Sequence, residues 1–117
     1  MDRLKKRADF LRAARGIRRV TPSLTLETCA VPDESAVIRV GFTASRKVGN
    51  AVVRNRAKRR LRAVAAAVLP LSGRMGNDYV LVARPGTLTR PFPNLREDLA
   101  AALEAAHLKL DSVKGRS

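Results

Sequence analysis

Acidic residues are missing from the middle of this chain. Between Ser35 and Asn77 there is no Asp or Glu, yet ten of the 24 Lys and Arg fall in that window. Charge of one sign repels itself and works against a compact state, so such a segment calls for a polyanion. A single cysteine, Cys29, excludes an internal disulfide and suits a reducing compartment, so the expected location is the cytoplasm. Cys29 reads as a small buried strand residue. A single histidine, His107, excludes a histidine-rich zinc site and a His-dependent nucleophilic pair. It reads as a polar residue near a helix end. Tryptophan is absent and aromatics make up 3% of the chain, which limits any surface built on stacked rings. No apolar run approaches the roughly 20 residues of a membrane span, and no membrane partner is expected. The opening MDRLKKRADF lacks the apolar core of a signal peptide and carries Asp2 and Asp9, unusual in a transit peptide.

The ten acids are scattered, and their two adjacent pairs read as a turn (Asp33-Glu34) and a helix first turn (Glu97-Asp98) rather than as general acid and base. No catalytic residue and no metal site is expected in this chain. What is present is cation: a formal net charge of +14 on 117 residues, enough length for one domain spanning 1–117 and for one modest core. That balance points to nucleic acid. It is concentrated in Arg46–Arg62, which holds eight Lys or Arg and no acid.

Periodicity places the elements. Residues 4–15 read as a helix ending at Gly16. Alternation from Leu24 sets Leu24, Leu26, Thr28 and Ala30 on one face of a strand and Thr25, Glu27 and Cys29 on the other. After turn chemistry at Pro32–Ser35, a second strand sets Ile38, Val40, Phe42 and Ala44 against Val37, Arg39, Gly41 and Thr43, and the two read as an antiparallel hairpin. A helix starts at Asn50, a favoured N-cap type. Its apolar positions Val53, Ala57, Leu61, Val64 and Val68 fall within an arc of about 80°, and Pro70 is expected to end it. The arginines and lysines sweep the opposite arc. Asp78–Arg84 reads as an apolar strand, and the Pro/Gly-rich stretch to Asn94 as a surface loop. Asn94 with Glu97 resembles a capping box for a last helix whose stripe is Leu95, Leu99, Leu103, Ala106 and Leu110. Residues 112–117 are expected to form a disordered tail. The order α-β-β-α-β-α, with room for a further short strand near Ile17–Val20, predicts an α/β (α+β) sandwich.

The string from Val40 to Arg62 closely resembles the signature of the bacterial ribonuclease P protein subunit, VGxxxSxKxGxAVxRNRxKRxxR, with Arg54-Asn55-Arg56 as its centre. Leu4-Lys5-Lys6 with Asp9-Phe10 is similar to that family's opening helix, Asp78–Arg84 to its last strand, and Phe92 with the Leu95/Leu99 helix to its C-terminal element. The resemblance implies a mixed sheet of about four strands with three helices, order α-β-β-β-α-β-α, and a left-handed β-α-β crossover. Handedness rules alone favour the right-handed form. It also implies a ribonucleoprotein: a large RNA holds the catalytic metals, with Mg2+ expected there, and cleaves the 5′ leader from precursor tRNA while the protein assists; no cofactor is expected on the protein itself, and no protein partner is evident.

Two surfaces carry over. The first, expected to meet the catalytic RNA, is Arg46, Lys47, Asn50, Arg54, Asn55, Arg56, Lys58, Arg59 and Arg62. Arginine suits it because its planar fork binds phosphate oxygens in pairs. Asn50 can equally be a cap alone. The second is a cleft for the single-stranded leader, with Phe10, Ala14 and Tyr79 as candidates. Phe10 lies off the Leu4/Ala8/Leu11 stripe, as a ring meant for stacking would. Ala14 and Glu27 stand where relatives often carry aromatics, so stacking is expected to be weak. Phe42 and Phe92 are further aromatics, and Phe42 alternates with core positions. The competing readings are a ribosomal or other structural RNA-binding protein, and a helix reading duplex DNA. The second suffers from cations spread around the whole outer arc and from the lack of a helix-turn-helix partner.

Overall fold

The computed structural model describes residues 1–31 and 37–114. Its elements are β1 (Asp2–Arg3), α1 (Arg7–Ala14), β2 (Ile17–Val20), β3 (Leu24–Ala30), β4 (Arg39–Thr43), α2 (Ala51–Ser72), β5 (Asn77–Ala83), α3 (Pro85–Thr89) and α4 (Phe92–Lys114). The strands form one mixed sheet in the order β1-β4-β5-β3-β2. This is the expected sandwich with one more strand, the two-residue β1. The short strand at Ile17–Val20 is β2, antiparallel to β3.

The expected hairpin does not form. β3 and β4 are separated by β5, which runs antiparallel to β3 and parallel to β4. The reason is burial: β5 is the most apolar strand, covered on both faces, and the centre of a sheet is the one place where both faces can be covered. The face assignments of β3 and β4 survive. Leu24, Leu26, Val40 and, partly buried, Ile38 and Phe42 join the main core with Tyr79 and Leu81, under α2 and α4. The other face holds Val80 with Leu4 and Ala13, and Phe10, Cys29 and Val82 pack there at the edge. The expected turn at Pro32–Ser35 lies outside the described residues.

α2 joins parallel neighbours β4 and β5 and is therefore a crossover. The N–H groups of Asp2 and Leu4 donate to the carbonyls of Ile38 and Val40, both at 2.9 Å. With the α2 face toward the viewer and β4 running upward, an L-chain points the carbonyl of Val40 to the right, so β1 lies right and β5 left. The β4-α2-β5 connection passes leftward in front of the sheet and is left-handed, against the usual preference.

Four helix boundaries differ from the pattern reading. α1 begins at Arg7 rather than near Leu4, because Leu4 is engaged with β4. Gly16 follows it for want of space, not for a left-handed turn: a Cβ there would lie 2.2 Å from the carbonyl oxygen of Thr28. Pro70 does not end α2 but sits inside its last turn, and Gly73 closes the helix by donating to Leu69 O at 2.7 Å. The carbonyl that Pro70 leaves unpaired belongs to Ala66, an exposed residue that water can reach. α4 begins at Phe92, so Asn94 lies in its first turn and is not its cap. The loop expected before it contains the short helix α3. α4 continues to Lys114, into the segment expected as a tail, and residues 115–117 lie outside the described residues.

Candidate nucleic-acid interface

Asn50 fixes where α2 starts. Its Oδ1 accepts the N–H of Val53 at 3.0 Å and its backbone is extended, the geometry of an N-cap. Gly49 before it has φ +152, a conformation side chains rarely adopt. With the start fixed, the stripe is fixed. Ala57, Leu61 and Val64 are fully buried, Val68 is buried and Val53 half-buried. At about 1.5–3 kcal/mol for each large buried side chain, this packing sets which way the rest of the helix points.

The cations point outward. Arg46, Lys47, Asn55, Arg56, Arg59 and Arg62 are exposed, and Arg54 and Lys58 half-exposed. Among the described residues none of Arg46, Lys47, Arg54, Arg56, Lys58, Arg59 and Arg62 pairs with an acid. On α2, Arg54–Lys58 and Lys58–Arg62 are like-charged at i,i+4, and each such pair costs a helix a few tenths of a kcal/mol. Tertiary packing holds together a helix whose own surface charge opposes it. Asn50 is exposed, but its acceptor oxygen is occupied by the cap, so its first role is to set the helix register.

Arg60 behaves differently and was not singled out by the sequence pattern. Its guanidinium donates to the main-chain carbonyls of Thr87 (2.6 Å) and Arg90 (2.7 Å). It latches α2 to α3 and to the residue that caps its C-terminus. The same corner is tied by Ser23 Oγ donating to Asp98 (2.7 Å), by the Arg90–Asp98 ion pair (2.7 Å), and by the Thr87 hydroxyl donating to Ser23 O. Hydrogen bonds from Arg90 and Ser23 hold the Asp98 carboxyl below its ordinary pKa despite partial burial.

A second surface lies where α1 crosses the edge of β4. Phe10 covers Gly41 so closely that a Cβ on Gly41 would lie 2.5 Å from the ring. Phe10, Leu11, Phe42, Thr43, Lys5 and Arg7 line an open groove of about 470 Å³. Phe42, expected in the core, has a double role: it packs partly buried against the main core and also lines this groove, with the Arg3 guanidinium 5.1 Å from its ring centre. Ala14 is exposed at the C-terminal end of α1. Glu27 is half-buried on the same face of the sheet, opposite Arg18 and Val80 in register. Burial raises its pKa, against the lowering effect of Arg18.

Tyr79 does not belong to this surface. It is fully buried on the opposite face of the sheet, in the main core. Its hydroxyl accepts the N–H of Arg74 (2.8 Å) and an Asn77 amide N–H (3.4 Å), which leaves its own proton for His107 Nε2 at 2.7 Å. A residue so enclosed cannot stack on a base. Sequence alternation could not decide its face, because β5 is apolar on both sides. Phe92 also lies on that other face, against the main core.

α1 is held to the sheet by charge. Arg39 makes a two-pronged contact with the buried carboxylate of Asp78 (2.7 and 2.6 Å) and lies 3.5 Å from Asp9, which also pairs with Arg12. Asp9 precedes Phe10, so this cluster places the ring. Among the described residues no three His, Cys, Asp or Glu gather as metal ligands, and no helix is long and apolar enough to cross a membrane.

A cationic face without acids among the described residues and an open groove lined by Phe10 and Phe42 are the two surfaces that stand out. The chain is 54% identical over 106 residues to the ribonuclease P protein component of Ruegeria pomeroyi, covering 89% of this chain and 85% of that one. It is 50% identical over 109 residues to that of Paramagnetospirillum magneticum, covering 89% and 81%. The RNase P protein of Staphylococcus aureus superposes with a TM-score of 0.73 at 28% identity, over 91% of this chain and 95% of that one. The Thermotoga maritima RNase P protein has the same fold, with a TM-score of 0.73 at 24% identity over 90% and 97%. With residues 1–107 matching the family model for ribonuclease P, the chain belongs to the ribonuclease P protein family.

Proposed function

We infer that this chain is the protein component of a cytoplasmic ribonuclease P, binding its catalytic RNA and the 5′ leader of precursor tRNA so that the leader is removed. The observation that carries this reading is the outer face of α2 with its N-terminal loop. Seven Lys and Arg there have no acid partner among the described residues, on a helix whose packing holds them in one orientation. Each can neutralise an RNA phosphate and release its counterion.

The groove supplies the second contact. Phe10 and Phe42 offer ring faces, and Lys5 and Arg7 offer charge, the combination that holds single strands without regard to sequence. Thr43, which lines it, is three residues before Arg46 in the chain, which keeps the groove close to that loop. A leader lying in it would run to the RNA that α2 holds. As a protein component of this family the chain assists, and we assign the cleavage chemistry to the RNA subunit, with Mg2+ bound there. The protein lowers the electrostatic cost of bringing two polyanions together.

Reconstitution with the cognate catalytic RNA tests this. Precursor tRNA should be cleaved at low Mg2+ only when the protein is added, and variants that remove Arg54 and Arg56 together should lose that rescue while keeping their melting temperature. A fully active, folded double variant would overturn the docking assignment.

A further inference from the structure

Most acids that the structure describes have a visible task or lie free in water. Asp9, Asp78, Asp98 and Asp111 pair with arginine, and Asp2, Glu97 and Glu104 are exposed. Glu27 does neither. It is half-buried, and among the described residues it makes no hydrogen bond and no ion pair. Arg18, directly opposite on β2, attracts it without pairing with it. Among the described residues Arg19 Nε is the one fully buried side-chain nitrogen or oxygen without a partner. The Glu27 oxygens therefore open to the surface with their lone pairs unfilled. Withdrawing part of a carboxylate from water is costly unless donors replace the water, and here the chain supplies none.

Register puts Glu27 in line with the groove. Gly41, Val80, Glu27 and Arg18 stand side by side on four neighbouring strands. Phe10 covers Gly41 and packs against the cluster of Ala13 and Val80. The position of Glu27 is thus two strands, or about 10 Å, from the seat of the ring. The next row, Thr43, Val82, Thr25 and Val20, carries no charge. Thr43 lines the groove, Val82 is half-buried and Val20 is exposed, so a shallow floor leads from the rings past Glu27. A base held by Phe10 has neighbours within reach of the carboxylate.

Rings and cations hold a strand whatever its sequence. A carboxylate does not, because it accepts hydrogen bonds and cannot donate them. On its Watson–Crick edge guanine alone presents two donors side by side, N1–H and the 2-amino group. They are spaced for two carboxylate oxygens, as the arginine fork is. Uracil shows one donor between two carbonyls, and adenine and cytosine set one donor beside a ring nitrogen that repels an anion. We propose, on the reading that the leader lies along this face, that Glu27 selects guanine at one leader position by accepting N1–H and N2–H on its two oxygens. Any other base there leaves a half-buried charge unbonded beside a polyanion, so selection works by rejection as well as attraction.

The test uses the holoenzyme, this chain with its cognate catalytic RNA, at about pH 8, where carboxylates are ionised. Its affinity is measured for mature tRNA and for precursor tRNAs carrying each base in turn at successive leader positions. One position should favour guanine over the other bases by about tenfold. Inosine, which lacks only the 2-amino group, should lose most of that preference. Glu27→Gln keeps the size of the side chain but offers one acceptor and one donor, a match for the Watson–Crick edge of every base. The four bases and inosine should then bind within about twofold of one another. A Glu27 that merely repels RNA gives a different result: Glu27→Gln would strengthen every leader alike and leave the ratios unchanged, which overturns the proposal. Four bases that bind alike to the parent, while precursor still outbinds mature tRNA, would overturn it too and leave the leader reading standing. Equal affinity for precursor and mature tRNA would remove both.

Discussion

The two halves of α2 share one buried stripe and differ in everything else. From Ala51 to Arg62 the outer face is cation without acid, and from Ala63 to Ser72 it is alanine, leucine and proline without charge. The two halves also end differently. The first opens on a side-chain cap from Asn50, and the second closes on Gly73 and on Arg74, whose N–H reaches Tyr79 in the core. One helix can thus carry two kinds of surface, because what places it is the stripe and not the exposed residues. Fixing the first half is what makes its charge useful: a disordered polycation would lose affinity to the entropy of ordering it on RNA.

The strongest way to break the contrast is to remove the charge from the first half alone. Arg54→Ala, Arg56→Ala and Arg59→Ala together should weaken binding to the catalytic RNA on the order of a thousandfold, at about 1.5 kcal/mol for each charged contact. The slope of log affinity against log salt should also flatten by about one for each residue. Filter binding across a salt series measures both, and an unchanged slope would refute direct phosphate contact. Cutting the stripe between the halves tests what they share. Leu61→Ala should destabilise the fold by about 2–5 kcal/mol, seen in denaturant melts, while RNA affinity at low temperature stays near that of the parent. A loss of affinity matching the triple variant would mean that the halves are not separable.

A smaller effect is expected at the groove. Phe10→Ala should weaken binding of leader-bearing precursor tRNA by about 1 kcal/mol, the low end of the span for a lost stacking contact, because Phe42 stays in the groove while Ala14 and Glu27 add no ring. Mature tRNA should bind as before. An unchanged ratio of the two affinities would remove Phe10 from the leader site. The smallest effect concerns the core beneath α4, where the second half of α2 ends. Burial first, then Arg74, lowers the pKa of His107, partly offset by Asp111. The folded state therefore favours the neutral ring. The stability it lends is fully present above the unfolded value near 6.5 and is lost as pH falls from there through the folded value. His107→Gln keeps an acceptor for the Tyr79 hydroxyl and should flatten the fall in melting temperature between pH 7 and pH 5. A variant with the same pH slope as the parent would assign that slope elsewhere.

Most of this architecture was legible in sequence because α2 and α4 bury single stripes over many turns, where periodicity is unambiguous. Asn50 as a cap and the burial of Ala57, Leu61, Val64 and Val68 followed from that. The failures have three causes. β5 is apolar on both faces, so alternation could not say that it would part β3 from β4, nor that Tyr79 would face α4 rather than α1. β1 is two residues long and α3 five, too short for any period to show. α3 further hides behind Pro85 and Gly86, where the hydroxyl of Thr87, not an apolar pattern, orders the turn by accepting the N–H of Arg84 at 3.0 Å. Arg60 was indistinguishable by type from its neighbours on the helix. Only the carbonyls of Thr87 and Arg90, distant in sequence, single it out.

The place of β5 bears on how the protein comes to be made. Its neighbours β3 and β4 are complete by Thr43, yet neither has its central partner until Ala83 has been added. A growing chain of intermediate length therefore carries two unpaired strand edges beside a segment rich in arginine, and the sheet closes only through contacts distant in sequence. Such pairings form slowly and leave edges open to aggregation in the meantime. Early capture of the arginine-rich segment by RNA would shorten that interval, so production together with the cognate RNA should raise the soluble yield above that of the chain expressed alone.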